Sequence, residues 1–173
     1  MIYVIADTHF NHKKILEFCK RDVDYESKIW KGLFSLKSED ILIHLGDICI
    51  GGDLEVHEKI ANLNPKKILV RGNHDKKSNN WYLNHGWDFV CETFSNKYHG
   101  MNVLFSHKPL PWDGVYDINI HGHLHDLSHR PNEKMHFMNY LISIEKMGCL
   151  PISLPYILDN LVLQSNLVDK IKN

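Results

Sequence analysis

Residues 2–9 read Ile2-Tyr3-Val4-Ile5-Ala6-Asp7-Thr8-His9. An unbroken apolar run ending on a carboxylate and an imidazole is the pattern of a buried strand that delivers polar groups at its carboxyl end. Four more stretches repeat it. Ile41 to Leu45 leads into Gly46-Asp47, and Ile68 to Val70 leads, after Arg71, into Gly72-Asn73-His74-Asp75. Val103 to Phe105 leads into Ser106-His107, and Ile118 to Ile120 into His121-Gly122-His123-Leu124-His125. Neighbouring strands would bring these loops to one rim, so the five blocks together predict a single site. Glycines within the blocks permit the sharp turns and close backbone approach that such a rim needs.

Helical spacing fills the gaps between the runs. Ile15, Leu16 and Phe18, then Ile29, Trp30, Leu33 and Phe34, suggest two amphipathic helices. Asp53 is placed to cap a helix carrying Val56, Ile60 and Leu63 and ending near Asn64-Pro65. A short helix over Asn80 to His85 stops at Gly86. Phe89 to Phe94, Asn102 to Phe105 and Asp117 to Ile120 read as strands, and Tyr140 to Glu145 alternates as a late strand. Pro151 to Leu163 reads as a terminal helix capped by Ser153. Strands alternating with helices predict an α/β protein, with antiparallel hairpins late in the chain.

At 173 residues the chain has the length of one domain, expected to cover 1–173 without repeat or linker. A net charge of −1 gives no basic field for long nucleic acid. A hydrophobic share of 43% with 24% charged residues is that of a globular protein and excludes general disorder. No apolar run spans a bilayer, so no membrane partner is expected, and the N-terminus has no signal-peptide pattern. Cys19, Cys49, Cys91 and Cys149 are scattered, which suits reduced thiols and a cytoplasmic location.

Histidine is the anomaly, at 13 residues. The donors at the five strand ends are carboxylate, imidazole and one amide, without thiolate. That set suits Mn²⁺ first, with Fe, Zn²⁺ or Ni²⁺ compatible, and argues against a structural cysteine-type zinc site. The donors number about twice those one tetrahedral ion needs. Two divalent ions sharing a carboxylate account for them, and ions about 3.5–4 Å apart can activate water and clamp a phosphoryl group.

The order DxH, GD, GNHD, H, GHxH resembles the calcineurin-like metallophosphoesterases, and its five blocks span about 70% of the chain. The resemblance implies a four-layer α/β/β/α sandwich with a dinuclear metal site at the strand ends. It implies that Asp7, His9 and His125 hold a first ion, that Asn73, His107 and His123 hold a second, and that Asp47 bridges both. It also implies that His74 is the catalytic imidazole, touching substrate rather than the ions.

Departures narrow the reading. Phosphoprotein phosphatases and diadenosine-polyphosphate hydrolases of that family follow GD with a VDRG-like stretch, whereas this chain has Ile48-Cys49-Ile50-Gly51-Gly52. Phosphoprotein substrates are therefore disfavoured, and the group orienting His74 is left between Asp75 and a backbone carbonyl. At 173 residues no extra domain of the kind expected of the family's DNA-repair nucleases is anticipated. Asp7-Thr8-His9-Phe10-Asn11-His12 is most similar to small bacterial and phage phosphoesterases.

Other residues read less sharply. His44 lies inside an apolar strand and is expected to be a hydrogen-bonded core histidine. His57, His85, His99, His129 and His136 are expected at the surface or in turns, and His121 is left out of the ligand set. His12, three residues past His9, is a candidate substrate contact. Arg71 is another, with a structural carboxylate as its rival partner. Lys108 to Gly114 is a loop in which Trp112 either stacks on a leaving group or is simply exposed. Trp81, Tyr82 and Trp87 are expected in the core.

These features predict a metal-dependent phosphoesterase, foremost a phosphodiesterase for a small, nucleotide-like substrate. Two alternatives are a protein-binding scaffold with a vestigial metal site and a single-strand nuclease. A scaffold has no use for His74 beside seven ligands, and the net charge disfavours the nuclease.

Overall fold

The computed structural model describes residues 1–126 and 136–161. In chain order the first part carries β1 (Ile2–Ile5), α1 (Ile15–Phe18), α2 (Tyr25–Phe34), β2 (Ile41–His44), α3 (Asp53–Ala61), β3 (Lys66–Val70), α4 (Asn79–Leu83) and β4 (Phe89–Cys91). The second part carries β5 (Thr93–Tyr98), β6 (Met101–Ser106), β7 (Ile118–His121), β8 (Asn139–Leu141), α5 (Ile144–Met147) and β9 (Ile152–Ser153). Residues 154–161 are helical.

Two sheets result, ordered β4-β3-β2-β1-β9 and β5-β6-β7-β8. In the first, β1 to β4 run parallel and β9 is an antiparallel edge. Alternation along these strands feeds two cores. Val4, Ala6, Ile43, Leu45 and Val70 meet Val103, Phe105, Ile118 and Ile120 of the second sheet, joined by Leu154, Ile157 and Leu158. Ile5, Leu42 and Leu69 face the other way, against Ile15, Ile29, Leu33, Val56, Ile60 and Tyr82 of the helices. Burial on both faces explains why the strands read as continuous apolar runs. Each Val, Leu, Ile or Phe side chain taken from water contributes about 1.5–3 kcal/mol. The protein is thus a mixed α/β structure of two facing sheets flanked by helices.

Several expectations are corrected. Phe89 to Phe94 is not one strand: the chain leaves the first sheet after Cys91 and enters the second at Thr93. Among the described residues, β5–β6 is the one late hairpin, while β6, β7 and β8 are parallel. The late strand stops at Leu141, because Ile144–Met147 turns into helix. The α3 N-cap is Gly52, with Asp53 inside the first turn. The α4 helix begins at Asn79, where the Ser78 hydroxyl accepts the Trp81 N–H. Ser153 lies in β9, and Val162 and Leu163 of the expected terminal helix lie outside the described residues.

The strand ends continue in register as loops. Asp7 N–H bonds Gly46 O at 3.0 Å, His9 N–H bonds Asp47 O at 3.0 Å, and Phe10 N–H bonds Ile48 O at 2.8 Å. In the second sheet, Gly122 N–H after β7 bonds His107 O after β6 at 3.0 Å. No helix among the described residues is long and apolar enough to cross a membrane.

Candidate metal centre

The loops after β1, β2, β3, β6 and β7 converge. Ligand atoms of Asp7, His9 and His125 lie within 4.8 Å of one another, and so do those of Asp47, His107 and His123. Asn73 joins the second group, its Oδ1 standing 3.1 Å from His107 Nε2. His123 Nδ1 is also 3.1 Å from that nitrogen. Asp47 Oδ2 lies between the groups, 3.7 Å from His9 Nε2 and 3.4 Å from His107 Nε2.

Each aspartate is held by one oxygen and presents the other. Asp7 Oδ2 accepts the His123 N–H at 2.8 Å, while Asp7 Oδ1 is buried without a hydrogen-bond partner. Asp47 Oδ1 accepts the His74 N–H at 2.8 Å, leaving Oδ2 to the imidazoles. Both ring nitrogens of His9 are likewise buried and unpartnered. Buried polar atoms are normally bonded, so an unpaired carboxylate oxygen beside an imidazole with its own free lone pair suits ligands turned toward a cation. His107 Nδ1 lies 2.7 Å from the Leu45 carbonyl, which fixes its proton there and leaves Nε2 as a lone-pair donor.

The backbone is strained where these side chains leave it. Asp7, His9, Asp47, His123 and His125 all have left-handed φ, between 48° and 71°. Asp and His tolerate this region better than most residues, yet each such residue costs on the order of 1–3 kcal/mol. Close packing adds a constraint. A Cβ at Gly72 would strike the Asp47 carboxylate, and one at Gly122 would strike the carboxylate of Asp7.

Charge follows the geometry. Burial lifts the Asp7 carboxyl to about 6, against the pull of His107 and His125. Burial also pushes His9 down to about 2. For Asp47, burial is outweighed by the neighbouring His107 and His9 imidazoles and the His74 backbone N–H, which hold its carboxyl below the ordinary range. For His125, burial is outweighed by Cys19 and Glu145, which lift it to about 10.

His74 sits beside the groups rather than in one. Its side chain is 43% exposed, with Nε2 3.9 Å from Asp47 Oδ2. Asp75 does not orient it. The Asp75 carboxylate is occupied by three backbone N–H groups, from Asp47 at 2.9 Å, Ile48 at 3.1 Å and Gly72 at 2.7 Å. The His12 ring lies 5.4 Å from that of His9. Arg71 bonds Asn79 Oδ1 at 2.8 Å and lies 3.4 Å from Glu92, with its Nε buried and unpartnered. It lines a cleft of about 300 Å³ that also takes in Asn73, Thr93, His107 and Lys108. Trp112 is turned elsewhere: its Nε1 donates to Tyr116 O at 3.0 Å and its ring stacks on His136.

Among the remaining histidines, His44 is a core residue that ties loops together. Its Nδ1 accepts the Gly46 N–H at 3.1 Å and its Nε2 meets the Thr8 hydroxyl at 3.0 Å. His57 is not at the surface as expected but buried, packed on Trp81, Tyr82 and Trp87. His121 is buried with Nδ1 on the Gly122 carbonyl. His129 lies outside the described residues. Two residues that sequence reasoning missed are Arg21 and Glu145. Arg21 donates to the Asp7 and Thr8 carbonyls at 2.7 and 2.8 Å, and Glu145 Oε1 is 3.2 Å from His125 Nδ1. No local motif marks either one.

The chain is 30% identical over 172 residues to the uncharacterized protein MJ1445 of Methanocaldococcus jannaschii, covering 90% of this chain and 88% of that one. The crystal structure of the protein of unknown function AQ665 from Aquifex aeolicus superimposes with a TM-score of 0.74 at 26% identity, covering 92% of this chain and 98% of that one. The model of the calcineurin-like phosphoesterase family matches residues 1–165, and the chain belongs to that family.

Proposed function

We propose that this protein is a metal-dependent phosphodiesterase acting on a small, nucleotide-like phosphodiester. One observation carries the reading: a single carboxylate oxygen, Asp47 Oδ2, faces an imidazole of each donor group, His9 at 3.7 Å and His107 at 3.4 Å. That is the arrangement two ions sharing a ligand require. Asp7, His9 and His125 would hold the first ion, Asn73, His107 and His123 the second, with Asp47 common to both. When bound, the ions supply an activated water and neutralise charge on the phosphoryl oxygens. The oxygen and nitrogen donors favour Mn²⁺, with Fe, Zn²⁺ or Ni²⁺ next.

The remaining roles fall to the chain. The Asp47 carboxylate accepts the His74 N–H, which holds that residue's backbone against the centre while its imidazole stays accessible. His74 is thereby available to hand a proton to the leaving oxygen. His12 beside His9 and Arg71 in the cleft are candidate contacts for the ester groups. The cleft adjoining Asn73 and His107 leaves room for a second ester group, which supports a diester over a monoester. Trp112 is the weakest of the three contacts, being committed to Tyr116 and His136.

Manganese-loaded protein assayed on bis-p-nitrophenyl phosphate and p-nitrophenyl phosphate tests the proposal. It expects faster turnover of the diester. Preference for the monoester would overturn the diesterase assignment, and inertness toward both with metal bound would overturn the enzyme reading.

A further inference from the structure

We propose that Arg21 and Glu145 are positioning residues for the first metal position, forming a buried latch that fixes both the His125 ring and the Asp7–Thr8 backbone. The inference rests on the two-ion reading above.

Arg21 lies in the loop after α1, and Glu145 lies in α5, 124 residues further on. The guanidinium makes four contacts. Nη2 donates to the Asp7 carbonyl at 2.7 Å and Nη1 to the Thr8 carbonyl at 2.8 Å. Nε donates to Glu145 Oε1 at 2.8 Å, and Nη2 lies 2.7 Å from the same oxygen. That oxygen is also 3.2 Å from His125 Nδ1. The two side chains are only 2% and 7% exposed, so the pair is structural in its surroundings and not a solvated surface bridge.

A neutral imidazole carries one N–H. A carboxylate at Nδ1 holds the proton on that nitrogen, leaves Nε2 as the lone-pair donor and raises its basicity. His107, in the other group, is set by a neutral acceptor, the Leu45 carbonyl at 2.7 Å. The two positions therefore differ in what stands behind their imidazoles. Arg21 adds a second tie, because the Asp7 and Thr8 carbonyls it grips belong to the left-handed turn that presents Asp7 and His9. The planar fork spreads its donors over two carbonyls and a carboxylate, whereas the three donors of a lysine sit on a single atom. The latch thus bears directly on Asp7 and His125 and, through the Thr8 carbonyl, on the backbone leading to His9, and it contacts no donor side chain of the second position.

The test is calorimetric titration of chelator-stripped protein with Mn²⁺, comparing wild type with Glu145→Gln, Glu145→Ala, Arg21→Lys and Cys19→Ser. Wild type is expected to take two equivalents. Glu145→Ala and Arg21→Lys should each weaken one equivalent by about 10–100-fold and leave the other unchanged. Glu145→Gln, which keeps the shape and an acceptor for the His125 N–H, should fall between, and it decides the matter if the alanine variant does not fold. A merely structural role would lower the melting temperature of the stripped variants without separating the two equivalents. Unchanged affinities, or equal loss at both positions, overturn the proposal. So does a third equivalent that disappears in Cys19→Ser, because Cys19, His125 and Glu145 would then be a metal site of their own. Wild type binding fewer than two equivalents is a separate outcome, which overturns the two-ion reading itself.

Discussion

The Asp75 carboxylate accepts the backbone N–H of Asp47 at 2.9 Å. Two adjacent acidic residues of the rim thus divide the work: Asp47 presents a free oxygen to the imidazoles, and Asp75 spends both of its oxygens on the loops. Asp75 also takes the N–H groups of Ile48 and Gly72, so one buried carboxylate joins the turn after β2 to the turn after β3. Asp75→Ala would leave three buried donors unpaired, each costing about 1–3 kcal/mol. We expect a loss of about 3 kcal/mol or more in denaturant unfolding, with a smaller loss in Asp75→Asn. A loss below about 1 kcal/mol in the alanine variant would show that the loops hold without it.

Asp47→Asn removes the charge shared by the two donor groups while keeping the shape. Its Oδ2 is the atom common to His9 and His107. Metal occupancy should fall at both positions. Elemental analysis after dialysis checks this, and two full equivalents in the variant would remove Asp47 from the shared position.

His74→Ala should keep its metals and its fold and lose turnover. A positioned acid or base contributes about 10²–10⁴-fold, and the loss should shrink for p-nitrophenolate, a leaving group that needs little protonation. Metal content, melting temperature and kcat on a good and a poor leaving group separate the cases. Retained activity on the poor leaving group would take His74 out of the mechanism, and loss of one metal equivalent would make it a ligand.

Stability should fall in acid, partly through His44. Burial lowers its pKa in the folded chain to about 3 from an ordinary 6.5. Below about pH 6.5 the unfolded chain takes up a proton there that the folded chain refuses. The contribution of His44 is therefore complete above 6.5 and lost as pH falls toward 3, by about 1.4 kcal/mol per pH unit. His44→Gln should be less stable at about pH 7.5 but show a shallower decline between about pH 6.5 and 4, by roughly one proton's worth. Denaturant unfolding of metal-stripped protein across that range is the measurement. An unchanged slope would mean that His44 does not titrate between the folded and unfolded states.

The rim was legible in the sequence because its grammar is local. Each donor block follows an apolar run at once, and β1, β2 and β3 pair in the parallel register that such runs favour. What escaped was set at long range. The run Phe89 to Phe94 looks the same whether it stays in one sheet or, as here, crosses between two after Cys91. Ile144–Met147 is too short for periodicity to separate helix from strand. His57 is buried because the α3 face it shares with Val56 and Ile60 meets the aromatic rings of Trp81, Tyr82 and Trp87. Arg21 and Glu145 have no motif, and their pairing exists only once residues 124 apart in sequence are folded together.

On the proposed function, two ions and not one make the catalytic centre. The most direct test is to titrate metal-stripped protein with Mn²⁺ while following hydrolysis of bis-p-nitrophenyl phosphate. Turnover should stay low through the first equivalent and reach its plateau at the second. A plateau at one equivalent, or no turnover at any loading, would contradict it.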